Sequence, residues 1–198
     1  MTTNRTLRAA IACALALGAT AGLQAQTLKD LTDDQATTGD VLTYGMGYAN
    51  QRYSPLKAIN KGNVDKLTPV WTYSLNNPQG QESQPIIHNG VMYVTTHTST
   101  VAVDALSGRQ IWKQDLEFAS DVFKMACCGL LNRGVAIYNG KVYRTTLDSH
   151  VIAYDAKTSK QLWKSKAADY KQGHAMTSAP LVTGGAMITG IAGGEYGT

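Results

Sequence analysis

The segment IIHNGVMYVTTHTSTVAVDALSGRQIWK, residues 86 to 113, recurs with one added residue as AIYNGKVYRTTLDSHVIAYDAKTSKQLWK at residues 136 to 164. The two copies share an Asn-Gly pair, two adjacent threonines, an aspartate and a tryptophan at corresponding positions. A third copy begins with APLVTGGAMITGIAGGEYGT, and KLTPVWTYSL around Trp71 matches the end of an earlier, partial unit. The chain is therefore built from a repeat of about 50 residues, which indicates a repeat architecture.

Each repeat has the pattern of several short β-strands. GVMYVTT and KVYRTTL are rich in β-branched and aromatic residues, and the Asn-Gly pairs are typical of two-residue hairpin turns. Three or four strands in a unit of about 50 residues are typical of a β-propeller blade. We predict an all-β fold, a partial β-propeller, in which Trp71, Trp112 and Trp163 pack between neighbouring blades.

The first 25 residues have the pattern of a secretory signal peptide. Arg5 and Arg8 precede an apolar run at residues 9 to 23, and a small-residue cleavage point follows at Ala25. A retained membrane anchor and a lipoprotein attached at Cys13 are the alternatives. We expect export, with residues 26 to 198 as the N-terminal part of a longer, truncated propeller, because a closed ring needs more blades than this chain holds.

The composition is that of a globular protein, with 43% hydrophobic and 16% charged residues. The chain has 18 Lys and Arg against 14 Asp and Glu, and removal of Arg5 and Arg8 brings the net charge to about +2. So small a charge gives no reason to expect a nucleic-acid partner. The four histidines show no metal-ligand spacing, and no Ser/His/Asp motif is present.

The sequence FKMACCGLLNRG holds the two cysteines that remain after signal removal, Cys127 and Cys128. Disulfides persist in exported proteins, but a bond between adjacent cysteines closes a minimal loop and restricts the unfolded chain little. A rigid, polarisable sulfur surface explains the pair better than a structural cross-link, and two unpaired thiols are the alternative. Arg133, five residues on, could present its planar fork to a carboxylate or a quinone oxygen, or it could be solvated.

Several other polar residues occupy positions suited to a ligand. Glu82 and Thr177 each precede a proline by three residues, at Pro85 and Pro180, so both would point from equivalent positions toward one axis. The alternative for Glu82 is a solvated acid in an exposed loop.

Acidic residues mark two candidate cation sites. Glu195 follows Gly193 and Gly194, where the backbone can approach a ligand and a carboxylate suits a hard cation. Asp34, Thr37 and Asp40 are spaced three apart in a turn that could surround calcium. A capped turn with solvated acids is the simpler interpretation of these three residues.

Together these motifs resemble the pyrroloquinoline quinone (PQQ)-dependent alcohol dehydrogenases, which include the methanol and ethanol dehydrogenases; the ethanol branch is the most similar. The resemblance runs from about Leu31 to the last residue. The cysteine pair with N-R-G, followed by G-G-E, is specific to the family, whereas the tryptophan repeats alone are not. The matching segments appear in the family's order: YGMGYANQRYSPLKAINKGNVDKLTPVWTYS, GQESQP, CCGLLNRG, MTSAP and GGEYG.

The resemblance implies a periplasmic eight-bladed propeller that oxidises primary alcohols by hydride transfer to PQQ, with a Ca²⁺ or lanthanide ion as Lewis acid. It implies electron transfer to a periplasmic cytochrome c and is compatible with a homodimer. The cofactor-binding residues it implies are Glu82, the vicinal disulfide of Cys127 and Cys128, Arg133, Thr177, Gly193 and Gly194. The metal ligands it implies are Glu195 at the catalytic ion and Asp34, Thr37 and Asp40 at a second calcium ion. No catalytic residue is assigned within this chain, because the family's aspartate base comes later in the sequence.

Two other functions are compatible with the repeats. A non-catalytic propeller could serve as a periplasmic protein-binding module, but such a module has no need of the cysteine pair, Arg133 and the Gly-Gly-Glu element together. A PQQ-dependent sugar dehydrogenase is the third interpretation. Membrane glucose dehydrogenases of this repeat type have several membrane spans before the propeller, and none is seen here.

Overall fold

A computed structural model describes residues 25–126 and 129–194, which form a largely β structure. The predicted signal peptide falls almost entirely outside these ranges and stays a prediction. The helices are α1 (Leu28–Thr32) and α2 (Val122–Met125), with 3₁₀ turns at Asp34–Ala36, Val64–Lys66 and Tyr170–Gln172. The strands are β1 (Ile86–His88), β2 (Val91–Thr95), β3 (Ser99–Asp104), β4 (Gln110–Asp115), β5 (Ala136–Tyr138), β6 (Lys141–Thr145), β7 (His150–Asp155), β8 (Gln161–Lys166), β9 (Leu181–Thr183) and β10 (Ala186–Ile188).

Each of the two aligned repeats forms one four-stranded antiparallel sheet. The first repeat sheet has the order β1-β2-β3-β4, the second has the order β5-β6-β7-β8, and β9 and β10 form a separate hairpin. Both sheets shift register at the same place in the repeat, after Ala102 in one and after Ala153 in the other. The predicted number of strands per unit is thus confirmed at its upper value, four.

The hairpin turns follow from their sequence. Asn89 and Gly90 both have positive φ, 49° and 74°, and Asn139 and Gly140 repeat this with 48° and 69°. Two successive residues with positive φ define the turn that matches the twist of paired strands, and Asn-Gly accommodates it with little strain. The sequence prediction of Asn-Gly hairpins is confirmed.

Two of the three tryptophans connect one unit to the next. Trp163 instead is 41% exposed and its ring lies 6.0 Å from that of Tyr143 in its own sheet, so its predicted packing against a neighbouring unit is not seen in the described residues. The Trp112 indole N–H, at the end of the first repeat sheet, donates to the Ala156 carbonyl in the second, at 2.9 Å. The Trp71 indole donates to the equivalent carbonyl, that of Ala105, at 3.2 Å. Trp71 does this without belonging to a strand, so the closing strand predicted around it is absent from the described structure. Its packing role is nevertheless confirmed.

The core lies between the two four-stranded sheets and the hairpin of β9 and β10. It consists of the buried hydrophobic side chains of Leu31, Leu42, Ile86, Tyr93, Ala102, Trp112, Val135, Ala136, Ile137, Val142 and Val182. The segment after α1 joins this core, because Val41 pairs antiparallel with Ile87 at the free edge of β1. Neither helix in the described part of the chain is long and apolar enough to cross a membrane.

Candidate functional site

Three of the predicted cofactor-binding residues meet in the folded chain. The Arg133 guanidinium bridges the other two: Nη2 lies 3.0 Å from Oε2 of Glu82, and Nη1 donates to Oγ1 of Thr177 at 2.7 Å. About half of the Glu82 side chain and about two fifths of the Arg133 side chain are exposed, 47% and 38%. The cluster is therefore assembled within the protein and open on one side.

The backbone explains why residues so far apart in sequence converge. Each of the three lies in the segment that leads into the first strand of a unit, three or four residues before β1, β5 or β9. These lead-in segments are joined laterally: the Gln84 N–H donates to the Arg133 carbonyl at 3.1 Å, and the Arg133 N–H donates to the Thr177 carbonyl at 2.8 Å. The predicted convergence of Glu82 and Thr177 from equivalent positions follows from this ladder.

Gly134 allows the lead-in segments to approach so closely. Its φ is +130°, a conformation that L side chains rarely adopt, and a Cβ there would lie 3.0 Å from the Gln84 carbonyl oxygen. A side chain at position 134 would push the Glu82 and Arg133 segments apart. The glycine of N-R-G thus supports the position of the arginine before it.

Asn132 is a residue that sequence reasoning missed. Its side chain is buried, 3% exposed, and Oδ1 accepts from Oγ1 of Thr95 at 2.6 Å and from the Gly134 N–H at 3.1 Å. Nδ2 donates to the Thr145 carbonyl at 3.1 Å. The sequence signal is a polar residue directly after the buried Leu131, and the two threonines it contacts occupy the same place in the two repeats.

A second arginine lies buried between the two sheets. Arg144 is fully buried, and burial lowers the pKa of its guanidinium to about 10, which leaves it charged at neutral pH. Its N–H groups donate to the carbonyls of Thr96, His97 and Thr145 and to Oγ1 of Thr100, at 3.0 to 3.2 Å. It therefore fixes the turn of the first sheet against the second.

His97 in turn supports the helix that precedes the cysteine pair. The Phe123 ring of α2 packs edge-on against the His97 ring, with centroids 5.8 Å apart. Burial, together with the nearby Arg144 charge, lowers the pKa of His97. Cys127 and Cys128 themselves lie outside the described residues, so their predicted disulfide and cofactor contact stay predictions.

The Gly-Gly-Glu element runs beside the Thr177 segment. Ala192 pairs with Ala175 through two backbone hydrogen bonds, of 3.2 and 2.8 Å, and Gly193 follows with φ +112°. A Cβ at Gly194 would meet no atom within 4 Å, so its surroundings are open. Glu195 lies outside the described residues, and its role as a metal ligand stays a prediction.

The residues predicted to form a second calcium site contact different partners. The buried Asp34 carboxylate accepts from the N–H groups of Leu42 and Thr43 and from the Thr43 hydroxyl, at 2.7 to 2.9 Å. Asp40 accepts from Nδ1 of His88 at 2.8 Å and from the Asn89 N–H at 2.9 Å.

Thr37 also has a partner of its own. Its hydroxyl donates to the Asp34 carbonyl at 3.0 Å. Within residues 25–126 and 129–194, no three His, Cys, Asp or Glu side chains group as a metal site. The second cation site stays a sequence prediction without support from these contacts.

Comparison with known proteins shows which family this chain resembles. A protein-family model described as "PQQ: Glucose/ethanol/alcohol dehydrogenase, beta-propeller domain" matches residues 42–192. The chain is 43% identical over 98% of its length to a 1-butanol dehydrogenase (quinone) of Thauera butanivorans, and 44% identical over 94% to a quinoprotein ethanol dehydrogenase of Pseudomonas aeruginosa. It spans about a third of the length of these curated relatives, 32% of each.

Solved structures show the same fold. A europium-containing methanol dehydrogenase superposes with a TM-score of 0.81 at 36% identity, over 86% of this chain and 30% of that one. A quinohemoprotein alcohol dehydrogenase from Comamonas testosteroni gives a TM-score of 0.80 at 35% identity, over 86% of this chain and 26% of that one. The predicted partial β-propeller is confirmed.

Proposed function

Because this chain belongs to the PQQ-dependent alcohol dehydrogenase family, as part of its β-propeller domain, we propose that the protein is a periplasmic enzyme that oxidises primary alcohols to aldehydes with PQQ as cofactor. The observation that carries the proposal is the convergence of Glu82, Arg133 and Thr177 from three lead-in segments. A propeller that only bound proteins would have no need to assemble this cluster at the place where its units meet.

The chemistry of the cluster suits the cofactor. PQQ is a planar quinone with three carboxylates and a pyrrole N–H, so it offers several acceptors and one donor. The Arg133 fork matches a carboxylate or quinone oxygen, the Thr177 hydroxyl can donate or accept, and the Glu82 carboxylate accepts. Since this cluster is open on one side, it can exchange its internal bonds for bonds to a ligand without unfolding the lead-in segments.

The protein's own residues would bind and orient the cofactor rather than react. Arg133 would hold its edge, and Glu82 and Thr177 would fix its rotation in the plane. By resemblance, Cys127 and Cys128 would cover one face, and Glu195 would hold the Ca²⁺ or lanthanide ion. When bound, PQQ supplies a two-electron acceptor for hydride and the metal supplies a Lewis acid.

The electron balance implies a partner. An alcohol that becomes an aldehyde loses two electrons and two protons, so each turnover must end with transfer of both electrons to an acceptor. We propose a periplasmic cytochrome c for this role and a small primary alcohol as substrate. Export through the N-terminal signal would place the enzyme in the compartment where that acceptor is found.

The test is cofactor binding by the full-length protein, prepared without PQQ and titrated with PQQ in the presence of Ca²⁺ or a lanthanide. Quenching of tryptophan fluorescence gives Kd, and dye-linked oxidation of ethanol gives activity. We expect Arg133→Ala to weaken PQQ binding about tenfold or more, because a charge-assisted hydrogen bond is lost. The matched control is Arg109→Ala, which removes an exposed arginine from the connection between β3 and β4.

The outcomes separate the candidate functions. Saturable PQQ binding that depends on Arg133 but not on Arg109 supports the enzyme. A full-length protein that binds no PQQ, with either cation, would contradict the proposal and favour the protein-binding propeller.

A further inference from the structure

A chain of hydrogen bonds, buried at its centre and partly exposed at its ends, runs beside the site and crosses all three units. It consists of Ser83, Thr95, Asn132, Thr145 and Ser178, and we refer to these five residues as the polar belt. We infer that the polar belt, with Asn132 at its centre, is a set of positioning residues that sets the spacing of the three cofactor-facing side chains. This inference rests on the proposed function.

The first half of the belt joins the Glu82 and Arg133 segments. Thr95, at the end of β2, contacts Oγ of Ser83 through both its backbone N–H and its hydroxyl, each at 3.1 Å. The same Thr95 hydroxyl lies 2.6 Å from Oδ1 of Asn132. Ser83 directly follows Glu82 and Asn132 directly precedes Arg133, so this one threonine holds both segments.

The second half joins the Arg133 and Thr177 segments in the same way. Nδ2 of Asn132 contacts the carbonyl and the hydroxyl oxygen of Thr145, at 3.1 and 3.4 Å. Oγ1 of Thr145, at the end of β6, donates to the Ser178 carbonyl at 2.7 Å. Because Ser178 directly follows Thr177, every cofactor-facing residue has a belt residue as its chain neighbour.

Asn132 is the residue that the belt can least replace. Its amide oxygen accepts two hydrogen bonds, from Thr95 and from the Gly134 N–H, while its amide nitrogen donates to Thr145. Side chains of similar size cannot do both, since an aspartate loses the donor and a leucine loses both functions. Buried polar groups left without partners cost stability and leave the segments free to shift.

A comparison of the two repeats distinguishes the threonines of the polar belt from the threonines that only form turns. Each of the two four-stranded units has two adjacent threonines, and in both the first belongs to the belt while the second closes its own β-turn. Thr96 contacts Ser99, and Thr146 contacts His150, within their own hairpins. All four threonines are buried, with at most 2% exposed.

A binding site that must hold three side chains from three units needs such support. Preorganisation of the binding residues by hydrogen bonds from the layer behind them lowers the cost of ordering them when the ligand binds. Loss of the belt should therefore weaken cofactor binding although none of its residues belongs to the proposed contact set.

The experiment compares adjacent threonines in the full-length protein. Thr145→Val removes a belt hydroxyl, and Thr146→Val removes an equally buried hydroxyl one residue away. We expect Thr145→Val to raise the PQQ Kd about five- to tenfold, from the loss of ordinary hydrogen bonds, and Thr146→Val to leave it within about twofold. Thermal midpoints measured without PQQ record the stability cost of each change, and Thr145→Ser should restore affinity. Ser83→Ala, at the partly exposed end of the belt, replaces Thr145→Val if that variant does not fold.

A double-mutant cycle tests positioning directly. In an Arg133→Ala background, Thr145→Val should lose at least half of its effect on Kd, because Thr145 spaces the Arg133 segment against the Thr177 segment and the arginine it helps to position is gone. Equal effects of Thr145→Val and Thr146→Val on Kd, or full additivity with Arg133→Ala, would overturn the inference while leaving the proposed function intact. A wild-type protein that binds no PQQ would overturn both, and that outcome is seen before any variant is made.

Discussion

The Arg133 guanidinium and the Thr177 hydroxyl are 2.7 Å apart, although 44 residues of chain separate them. The donor comes from the lead-in segment of the second unit, and the acceptor comes from that of the third. Because the backbones of the two segments are also hydrogen-bonded, the bond sets the direction of the arginine fork before any ligand arrives. An arginine held in this way loses less conformational entropy on binding than a free one.

The first prediction concerns that hydroxyl. Thr177→Val keeps the shape of the side chain but removes the acceptor for Arg133, and we expect it to weaken PQQ binding by about three- to tenfold. Thr177→Ser retains the hydroxyl and should bind within about twofold of wild type. Fluorescence titration of the full-length apoprotein measures both. Wild-type affinity in Thr177→Val would show that the bond does not orient the arginine.

The second prediction concerns the glycine of the N-R-G motif. Gly134→Ala places a Cβ 3.0 Å from the Gln84 carbonyl oxygen, at a φ of +130°. We expect it to destabilise the protein by about 1 to 3 kcal/mol, the cost of a strained backbone conformation. Thermal unfolding followed by circular dichroism measures the loss.

Gly80→Ala is the matched control for that change. A Cβ at Gly80 would meet no atom within 4 Å, and its φ lies outside the left-handed region. We expect it to change stability by less than about 0.5 kcal/mol. If the two variants unfold at the same temperature, the close approach at Gly134 is not the cause of any loss.

The sequence contained enough to predict the sheets. Repeated Asn-Gly pairs at Asn89 and Asn139 specify the hairpins locally, and the β-branched segments around them specify the strands, so short-range patterns are sufficient. The register match between Glu82 and Thr177 also predicted their convergence, because equivalent positions in a repeat architecture point to the same place.

The polar belt could not be predicted in the same way. The role of Asn132 depends on Thr95 and Thr145, which belong to different sheets and meet only after the lead-in segments pair. The contacts of Asp34 could not be predicted from spacing either, because its carboxylate accepts hydrogen bonds from the N–H groups of Leu42 and Thr43. Spacing alone does not reveal which backbone N–H groups will reach a buried acid.

The third prediction concerns the packing between units. Trp112 is buried, its ring lies 5.8 Å from that of Tyr93, and its indole donates to the Ala156 carbonyl. Trp112→Phe should cost about 1 kcal/mol, mainly the lost hydrogen bond, because the Tyr93 hydroxyl also reaches that carbonyl. Trp112→Ala should cost about 3 to 5 kcal/mol because it leaves a cavity. Chemical denaturation measures the free energy of unfolding of both variants. The control Leu106→Ala, at an 88% exposed position, should leave that free energy unchanged.

The last prediction is a pH dependence of stability that arises at His97. Burial and the Arg144 charge lower the pKa of this histidine in the folded protein, whereas the unfolded chain has the ordinary value of about 6.5. The unfolded state therefore binds more protons in the window just below pH 6.5. Stability contributed by the neutral ring is fully present above that pH and is lost as the pH falls toward the folded pKa.

His97→Gln removes this titration and should flatten the fall in stability between about pH 7 and pH 5. Thermal unfolding is measured from pH 5 to pH 7 and at pH 8 as the reference. At pH 8 the wild-type His97 ring is neutral in the folded and the unfolded state, so the difference between the two proteins there is the fixed cost of the substitution. The loss of packing on Phe123 should lower stability by the same amount at every pH. Parallel pH profiles for wild type and His97→Gln would show that another group causes the acid sensitivity.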